Sequence, residues 1–273
     1  MYKVLALDLD GTILTDDHTV HPQVKKAIQE IKQYCRVIIV TGRHHTAARP
    51  YYYELGLDTP IICCNGTYMY DYKSETVLKQ NAIEKHNALR FIEKSQEFKL
   101  KMVMYITDAM TYSNYNPFTY MLALERWADS ASEEYKPNIY RVDSFTQTAE
   151  QAEHVWKFVV EGSSASVKSL MQDSWVKENF NGERSWSNRV DFAARGNSKG
   201  PRLAEYVKSL GYKASDVIAI GDNHNDISML SYAGFGVAML NADSIVKSHV
   251  QTVCATDNNH DGIAHLIREK IKG

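Results

Sequence analysis

Residues 3–12 read Lys-Val-Leu-Ala-Leu-Asp-Leu-Asp-Gly-Thr. The first half of this stretch is a short apolar run that ends at acids and a glycine, which is typical of a buried strand entering a tight loop. Asp8 and Asp10 alternate with Leu9, so both carboxylates can point into the crevice at the carboxyl end of the strand. Ligands of open α/β sheets bind at that end. The stretch therefore predicts an α/β fold with a functional site at the end of its first strand.

The chain that follows supports this fold. Residues 22–31 carry apolar side chains at helical spacing, and residues 37–40 read as a second buried strand, which completes a βαβ unit. A further helical stretch is expected to break near Pro50. Residues 61–64 then read as a third strand that continues the sheet and closes at Asn65-Gly66.

The middle of the chain has a different pattern. Between about residues 83 and 190, helical and strand-like patches alternate without the earlier order, whereas the strand–helix rhythm returns after residue 197. We therefore predict a doubly wound, mostly parallel, Rossmann-like α/β core formed by residues 1–82 and 191–273. An inserted α+β cap, residues 83–190, is expected to close over the site and exclude water.

The composition narrows the class of protein. With 31 basic and 33 acidic residues the formal net charge is -2, which gives no general attraction to nucleic acid or to an anionic membrane. No apolar run approaches the roughly 20 residues that span a bilayer, and acids appear too early for a signal peptide. The four cysteines show no CxxC spacing, which disfavours a disulfide framework or a zinc site. We expect a cytoplasmic protein that binds neither nucleic acid nor membrane.

The first acidic pair suits phosphate chemistry. Asp8, kept ionised by bound Mg²⁺, can attack phosphorus and form an aspartyl-phosphate. Asp10 can hold a proton, donate it to the departing alcohol, and then accept one from the water that attacks the phosphoenzyme. The alternatives are an acidic loop at a strand end and a metal clamp with a purely structural role.

Two further segments offer groups that bind phosphate oxygens. Thr41 and Gly42 follow the second strand and place a hydroxyl and free backbone amides where a helix begins. Lys199 lies at a predicted helix start, where a cation is unfavourable unless an anion is near. A helix cap and a solvated surface lysine are the ordinary alternatives. We interpret both segments as phosphate-binding.

The sequence Gly-Asp-Asn-His-Asn-Asp at residues 221–226 follows another apolar strand and supplies oxygen ligands suited to magnesium. Asp222 is predicted to be a direct ligand and Asn225 to reach the phosphate. Asp226 is either a ligand or a residue that orients its neighbours. Asx-rich turns that cap a helix are the alternative. The occurrence of four such motifs in succession at strand or loop ends favours the catalytic interpretation.

These motifs resemble those of the haloacid dehalogenase superfamily, and the long insertion is similar to the large α+β cap of its Cof-type phosphatases. The similarity covers essentially the whole chain. The resemblance implies that Mg²⁺ is held by Asp8, the backbone carbonyl of Asp10, and Asp222. It implies that the phosphate contacts the Leu9 amide, Thr41, Gly42, Lys199 and Asn225.

A closer likeness is to the pyridoxal-phosphate phosphatase group of this superfamily. It rests on residues 42–45, 62–67, 155–158, 196–200 and 225–230. The likeness implies hydrolysis of pyridoxal 5'-phosphate to pyridoxal, with sugar phosphates such as fructose 1,6-bisphosphate as additional or alternative substrates. The expected partner is thus a small phosphorylated metabolite, and the sequence leaves the oligomeric state open.

Two other functions are compatible with these motifs. A phosphotransferase or mutase would pass the phosphoryl group from Asp8 to the hydroxyl of a second substrate instead of to water. A ligand-binding sensor would keep the fold without turnover. A sensor would be expected to have lost Asp8, Asp10 or Lys199, and all of these residues are present.

Overall fold

The computed structural model describes residues 2–186 and 188–272. The chain forms two compact units. The first consists of the chain up to Gly42, Tyr51–Lys79 and the chain from Ser198 onward, and the second consists of Arg43–Pro50 and Gln80–Asn197. The limits predicted for the cap, residues 83 and 190, fall within the second unit. Every helix in the described ranges is too short or too polar to cross a lipid bilayer.

The helices and strands are numbered in chain order. The first segment contains β1 (Val4–Leu7), α1 (Pro22–Ile31), β2 (Arg36–Ile39), α2 (His45–Glu54), β3 (Ile61–Cys63), β4 (Tyr68–Asp71) and β5 (Thr76–Gln80). The middle segment contains α3 (Lys85–Glu97), β6 (Lys101–Ile106), β7 (Ala109–Ser113), α4 (Thr119–Ser130), β8 (Ile139–Val142), α5 (Phe145–Gln151), β9 (Val155–Glu161), α6 (Ser164–Gln172), α7 (Ser174–Asn179), β10 (Phe180–Trp186) and β11 (Arg189–Ala194). The last segment contains α8 (Lys199–Ser209), β12 (Val217–Gly221), α9 (Ile227–Tyr232), β13 (Phe235–Ala238), α10 (Ser244–Ser248), β14 (Thr252–Val253) and α11 (Gly262–Lys272).

The first unit is built on a five-stranded sheet in the order β14-β13-β12-β1-β2, and every neighbouring pair is parallel. Ala6 and Leu7 point to opposite faces of β1 and are both fully buried, so the sheet is covered on both sides. Burial on both faces requires near-continuous apolar runs, which is why the central strands carry them. Leu7 is in register with Ile39 and with Ile220, so three strands end at one level. The predicted parallel α/β core is confirmed.

The strand predicted at residues 61–64 lies in a different sheet from the one expected. β3 pairs antiparallel with β4, and together with β5 they form a separate three-stranded sheet. A single bridge joins Val40 to Ile62, and the amide of Thr41 donates to the carbonyl of Ile62 at 2.9 Å. The prediction that this strand continues the parallel sheet therefore holds only at that bridge, which is parallel. The regular ladder of β3 is the antiparallel one with β4, which follows after a short turn and places β3 in the separate sheet.

The second unit has mixed α+β character, as the sequence predicts for the cap. Its six-stranded sheet has the order β10-β11-β9-β6-β7-β8, in which only β7 and β8 are parallel. One apolar cluster packs side chains of this sheet against helical residues. Within that cluster, the rings of Phe91 and Phe158 stack with their centroids 4.6 Å apart.

Helix α2 runs through Pro50 without interruption. The predicted break near this residue is wrong. Pro50 cannot donate to the carbonyl of Thr46, which normally weakens a helix. Ala48 before it and Tyr51 and Tyr52 after it are buried, so packing of these side chains keeps both turns in helical register.

Candidate active site

The carboxyl edge of the parallel sheet brings the predicted catalytic residues together. Asp8 directly follows β1, Thr41 lies just beyond β2, and Asp222 directly follows β12. The amide of Asp8 donates to the carbonyl of Ile220 at 3.1 Å, which ties the start of the Asp8 loop to β12. Lys199 is the first residue of α8. Residues that are far apart in the sequence therefore meet at one edge, as their positions after strands predict.

Lys199 forms two buried ion pairs. Its Nζ lies 2.7 Å from Oδ1 of Asp8 and 2.6 Å from Oδ1 of Asp226. Burial alone would lower the pKa of Lys199, but Asp226 and Asp8 outweigh it and raise the pKa, so the ammonium remains charged. The two carboxylates also explain how a cation is accommodated at the N-terminus of α8, where the helix dipole opposes it.

The carboxylates around Lys199 repel one another. Burial raises the pKa of Asp8 well above its usual range; Lys199 opposes this effect, and Asp226 and Asp222 add to it. Burial, followed by repulsion from Asp226, raises the pKa of Asp222 to about 7. The hydroxyl of Thr12 donates to Asp222 at 3.1 Å and offsets part of that increase. Lys199 thus balances only part of the negative charge, and a further cation would be stabilised here.

Asp8, Asp222 and Asp226 each place one carboxylate oxygen within 4.8 Å of the others. Such a group of oxygen ligands fits a small divalent cation. Asp226 already has protein donors on both of its oxygens. Oδ1 accepts from Lys199, and Oδ2 accepts from the amides of Asp222 and Asn223, each at 3.0 Å. Asp226, whose role the sequence leaves open, therefore contacts both the lysine and the loop that carries Asp222.

Asp10 lies outside this group of three carboxylates. Its side chain is 48% exposed, and Oδ1 is 3.9 Å from Nδ1 of His18. The side chain of the preceding Leu9 is fully buried. Gly11 follows with a φ of +74°, and a Cβ at this position would lie 2.3 Å from Oδ2 of Asp222. The loop can pass this close to Asp222 only with glycine at position 11.

Thr41, Gly42 and Asn225 are connected through Asn65. The carbonyl of Thr41 accepts the amide of Asn65 at 3.1 Å, and Oδ1 of Asn65 accepts from Nδ2 of Asn225 at 3.0 Å. A Cβ at Gly42 would lie 2.9 Å from Oδ1 of Asn65, so the glycine leaves room for this amide. The sequence predicts that Asn65 closes a strand and includes it in the closer family likeness over residues 62–67, but it assigns Asn65 no role in the site. Its position directly after an apolar strand, like the positions of Asp8, Thr41 and Asp222, could have marked it as a site residue.

The turn that carries Asn65 packs against the start of α8. Gly66 has a φ of +87°, and a Cβ there would lie 2.2 Å from the carbonyl oxygen of Ser198. Nε of Arg202 donates to the carbonyl of Gly66 at 2.9 Å. This close approach places Asn65 beside the segment that begins with Lys199.

His44 and His45 follow Gly42 closely in the chain but belong to the second unit. Nε2 of His44 lies 2.9 Å from the carbonyl oxygen of Ile106, and Nδ1 lies 3.0 Å from the hydroxyl of Thr46. Burial lowers the pKa of His44 to about 3 and also lowers the pKa of His45. Both imidazoles are therefore uncharged at neutral pH.

The sequence matches the haloacid dehalogenase-like hydrolase family over residues 5–267. The chain belongs to this family. It is 42% identical to pyridoxal phosphate phosphatase YbhA of Escherichia coli (strain K12), over 97% of each chain. It is 27% identical to phosphatase YwpJ of Bacillus subtilis (strain 168), over 97% of this chain and 99% of that protein. The family predicted from the motifs is confirmed.

Solved structures of haloacid dehalogenase-like hydrolases share the fold. One from Bacteroides thetaiotaomicron superposes with a TM-score of 0.84 at 24% identity, over 99% of this chain and 100% of that chain. Another from Bacillus subtilis gives a TM-score of 0.81 at 24% identity, over 97% of this chain and 99% of that chain. The predicted fold class is therefore confirmed over nearly the whole length of the chain.

Proposed function

We propose that this haloacid dehalogenase-like hydrolase removes phosphate from pyridoxal 5'-phosphate, giving pyridoxal and inorganic phosphate, with Asp8 as the nucleophile. The reaction type is supported by one arrangement above all, the buried Asp8 carboxylate held by Lys199 beside Asp222. The substrate is supported by the 42% identity to the pyridoxal phosphate phosphatase of Escherichia coli.

Asp8 carries the covalent step. An oxygen of its carboxylate forms a bond to phosphorus, and the bond between phosphorus and the hydroxymethyl oxygen of the substrate breaks. Lys199, 2.7 Å from Asp8, restrains the nucleophile and offsets charge on the phosphoryl group. Asp226 keeps the ammonium in place, so the positive charge is already positioned when substrate binds.

Asp10 is proposed to move the proton. In the first step its protonated carboxyl donates to the departing alcohol oxygen, so that pyridoxal leaves as a neutral alcohol. In the second step the Asp10 carboxylate accepts a proton from the water that attacks phosphorus. The bond from phosphorus to Asp8 then breaks, phosphate leaves, and both carboxyl groups return to their starting states. The partial exposure of Asp10 suits a group that exchanges protons in each cycle.

The phosphate oxygens are proposed to bind donors at the same edge of the sheet. These donors are the Leu9 amide, the Thr41 hydroxyl, the Gly42 amide, the Lys199 ammonium and the Asn225 side-chain amide. Asn65 is proposed to hold Asn225 in position, because its Oδ1 accepts from Nδ2 of Asn225.

The crowded carboxylates fit Mg²⁺ as the cofactor. Asp8, Asp222 and the backbone carbonyl of Asp10 are proposed to hold the ion, which supplies positive charge that stabilises the phosphoryl oxygens. The raised pKa values of Asp8 and Asp222 support this assignment, since burial and the neighbouring carboxylates disfavour their negative charges and a bound cation would stabilise them. Asp226 remains with Lys199 and the backbone amides.

Release of phosphate from a panel of esters tests the proposal. The panel contains pyridoxal 5'-phosphate, fructose 1,6-bisphosphate, hexose and pentose phosphates and nucleotides, each with Mg²⁺ or with EDTA. We expect Mg²⁺-dependent release with pyridoxal 5'-phosphate leading by kcat/KM. A lead by a sugar phosphate would overturn the substrate, and phosphate transfer to an added alcohol without matching free phosphate would overturn hydrolysis.

A further inference from the structure

Three asparagines from the C-terminal part of the chain hold the segment that carries Asp10. This segment, residues 9–20, is called the Asp10 loop, and within the described chain it contains no helix and no regular strand. Nδ2 of Asn241 donates to the carbonyl of Gly11 at 2.9 Å. Nδ2 of Asn258 donates to the carbonyl of Leu14 at 2.9 Å. The shape of the loop thus depends on partners more than two hundred residues away.

Asp16 ties the outer part of the Asp10 loop to two of these asparagines. Its Oδ1 accepts from Nδ2 of Asn258 at 3.1 Å. Its Oδ2 accepts from Nδ2 of Asn259 at 3.1 Å, and its backbone amide donates to Oδ1 of Asn259 at 2.9 Å. An amide side chain both donates and accepts, so Asn259 bonds the carboxylate and the backbone amide of Asp16 at once. It does so without adding charge near the catalytic carboxylates.

The contact made by Asn258 reaches the backbone of Asp10. The carbonyl of Leu14 accepts the hydrogen bond from Asn258, and the backbone of Leu14 forms an isolated β-bridge with that of Asp10. The amide of Leu14 also donates to the carbonyl of Leu9 at 2.9 Å. Asn258 is 7% exposed, so its amide is held in a nearly dry environment where water competes poorly for Leu14. Loss of the Asn258 side chain is therefore expected to move Asp10, because Leu14 contacts both residues.

We propose that Asn241, Asn258 and Asn259 are positioning residues for proton transfer by Asp10. This inference rests on the proposed function, in which Asp10 protonates the leaving alcohol. The asparagines contact no reacting atom; they fix the loop so that the Asp10 carboxyl meets the leaving oxygen. Their loss should therefore slow the cleavage of esters whose leaving group needs a proton much more than that of esters whose leaving group does not.

The test compares two leaving groups with Mg²⁺, in single-turnover reactions for the rate of release and in steady-state reactions for KM. Pyridoxal leaves as a primary alcohol that needs protonation, whereas p-nitrophenol leaves readily as the phenolate. For Asn258→Ala and Asn259→Ala, we expect pyridoxal release to slow by about tenfold or more and p-nitrophenol release by less than about threefold, with KM little changed. Because Asn259 is exposed, Asn259→Ala should fold even if Asn258→Ala does not. Adding either change to Asp10→Asn should produce no further loss in pyridoxal release.

His260→Ala is the matched control, because its ring bonds Asp257 within the same C-terminal turn. It should leave both rates unchanged. Equal losses with both esters, or a loss confined to KM, would overturn the positioning role and leave a structural one. The proposed function fails separately if the wild-type protein releases no phosphate from pyridoxal 5'-phosphate. The comparison is then made with whichever alkyl phosphate the wild-type protein hydrolyses, so the two claims are tested independently.

Discussion

The ammonium of Lys199 lies 2.6 Å from a carboxylate oxygen of Asp226, and neither side chain is exposed to solvent. The other oxygen of Asp226 accepts two backbone amides from the loop that carries Asp222. One carboxylate therefore fixes both the lysine that contacts Asp8 and the loop proposed to bind the metal. Small movements of Asp226 would displace both at once, which makes this residue central to the geometry of the site.

Replacement of Lys199 by methionine should remove turnover and lower stability. The change leaves Asp8 and Asp226 buried without their cation, and breaking a buried pair in this way costs about 3 kcal/mol or more at neutral pH. Urea unfolding in EDTA measures the free energy of unfolding. The double variant Lys199→Met with Asp8→Asn should recover part of the lost stability, because one uncompensated carboxylate is gone. Equal stabilities of wild type and Lys199→Met would contradict the account.

Asp222 should make the metal-free protein lose stability as pH rises from about 4 to about 7. Burial and Asp226 raise the pKa of Asp222 from 3.8 to about 7, so the folded protein binds this proton more tightly than the unfolded chain in that window. In Asp222→Asn, the fall in the free energy of unfolding between pH 4 and pH 7, measured by urea unfolding in EDTA, should be smaller by more than about 1 kcal/mol. Added Mg²⁺ at pH 7.5 should stabilise the wild type far more than the variant. If the free energy of unfolding depended on pH in the same way in the two proteins, a raised pKa of Asp222 would be contradicted.

Gly11→Ala should impair the site more than an equivalent change elsewhere. The new Cβ would lie 2.3 Å from Oδ2 of Asp222, in addition to the strain of a φ of +74°. Gly211→Ala is the matched control, since Gly211 has a φ of +77° and open space around its Cβ position. Gly211→Ala should lose about 1 kcal/mol of stability from the φ strain alone, whereas Gly11→Ala should lose more than this and should also lose at least about tenfold in Mg²⁺-dependent kcat/KM. Similar activities would show that the contact with Asp222 is unimportant.

The residues that follow apolar strands could be predicted from the sequence. Parallel strands end at one edge, so Asp8, Thr41 and Asp222 had to lie near one another once their strands were recognised. The strands themselves were visible because burial on both faces demands continuous apolar runs. The unfavourable place of Lys199 at a helix start also pointed to nearby anions, which are Asp8 and Asp226.

Other features depend on contacts that local patterns do not encode. Asn65 and Asn225 are 160 residues apart, and no spacing rule predicts that their side chains bond. The uninterrupted helix at Pro50 reflects packing that outweighs the local preference of proline. The pairing of β3 with β4 depends on a turn in which Asn65 has a φ of 57°, and that conformation is not evident from the strand pattern.

The most direct test of the account is release of phosphate from pyridoxal 5'-phosphate by the wild-type protein and by Asp8→Asn, each purified and assayed with Mg²⁺. The variant keeps the size of the side chain and removes the nucleophilic carboxylate. Circular dichroism of both proteins is the check that each is folded. We predict equal amounts of pyridoxal and phosphate from the wild type and no release above background from Asp8→Asn. Retained release by folded Asp8→Asn would contradict an aspartyl-phosphate at this position.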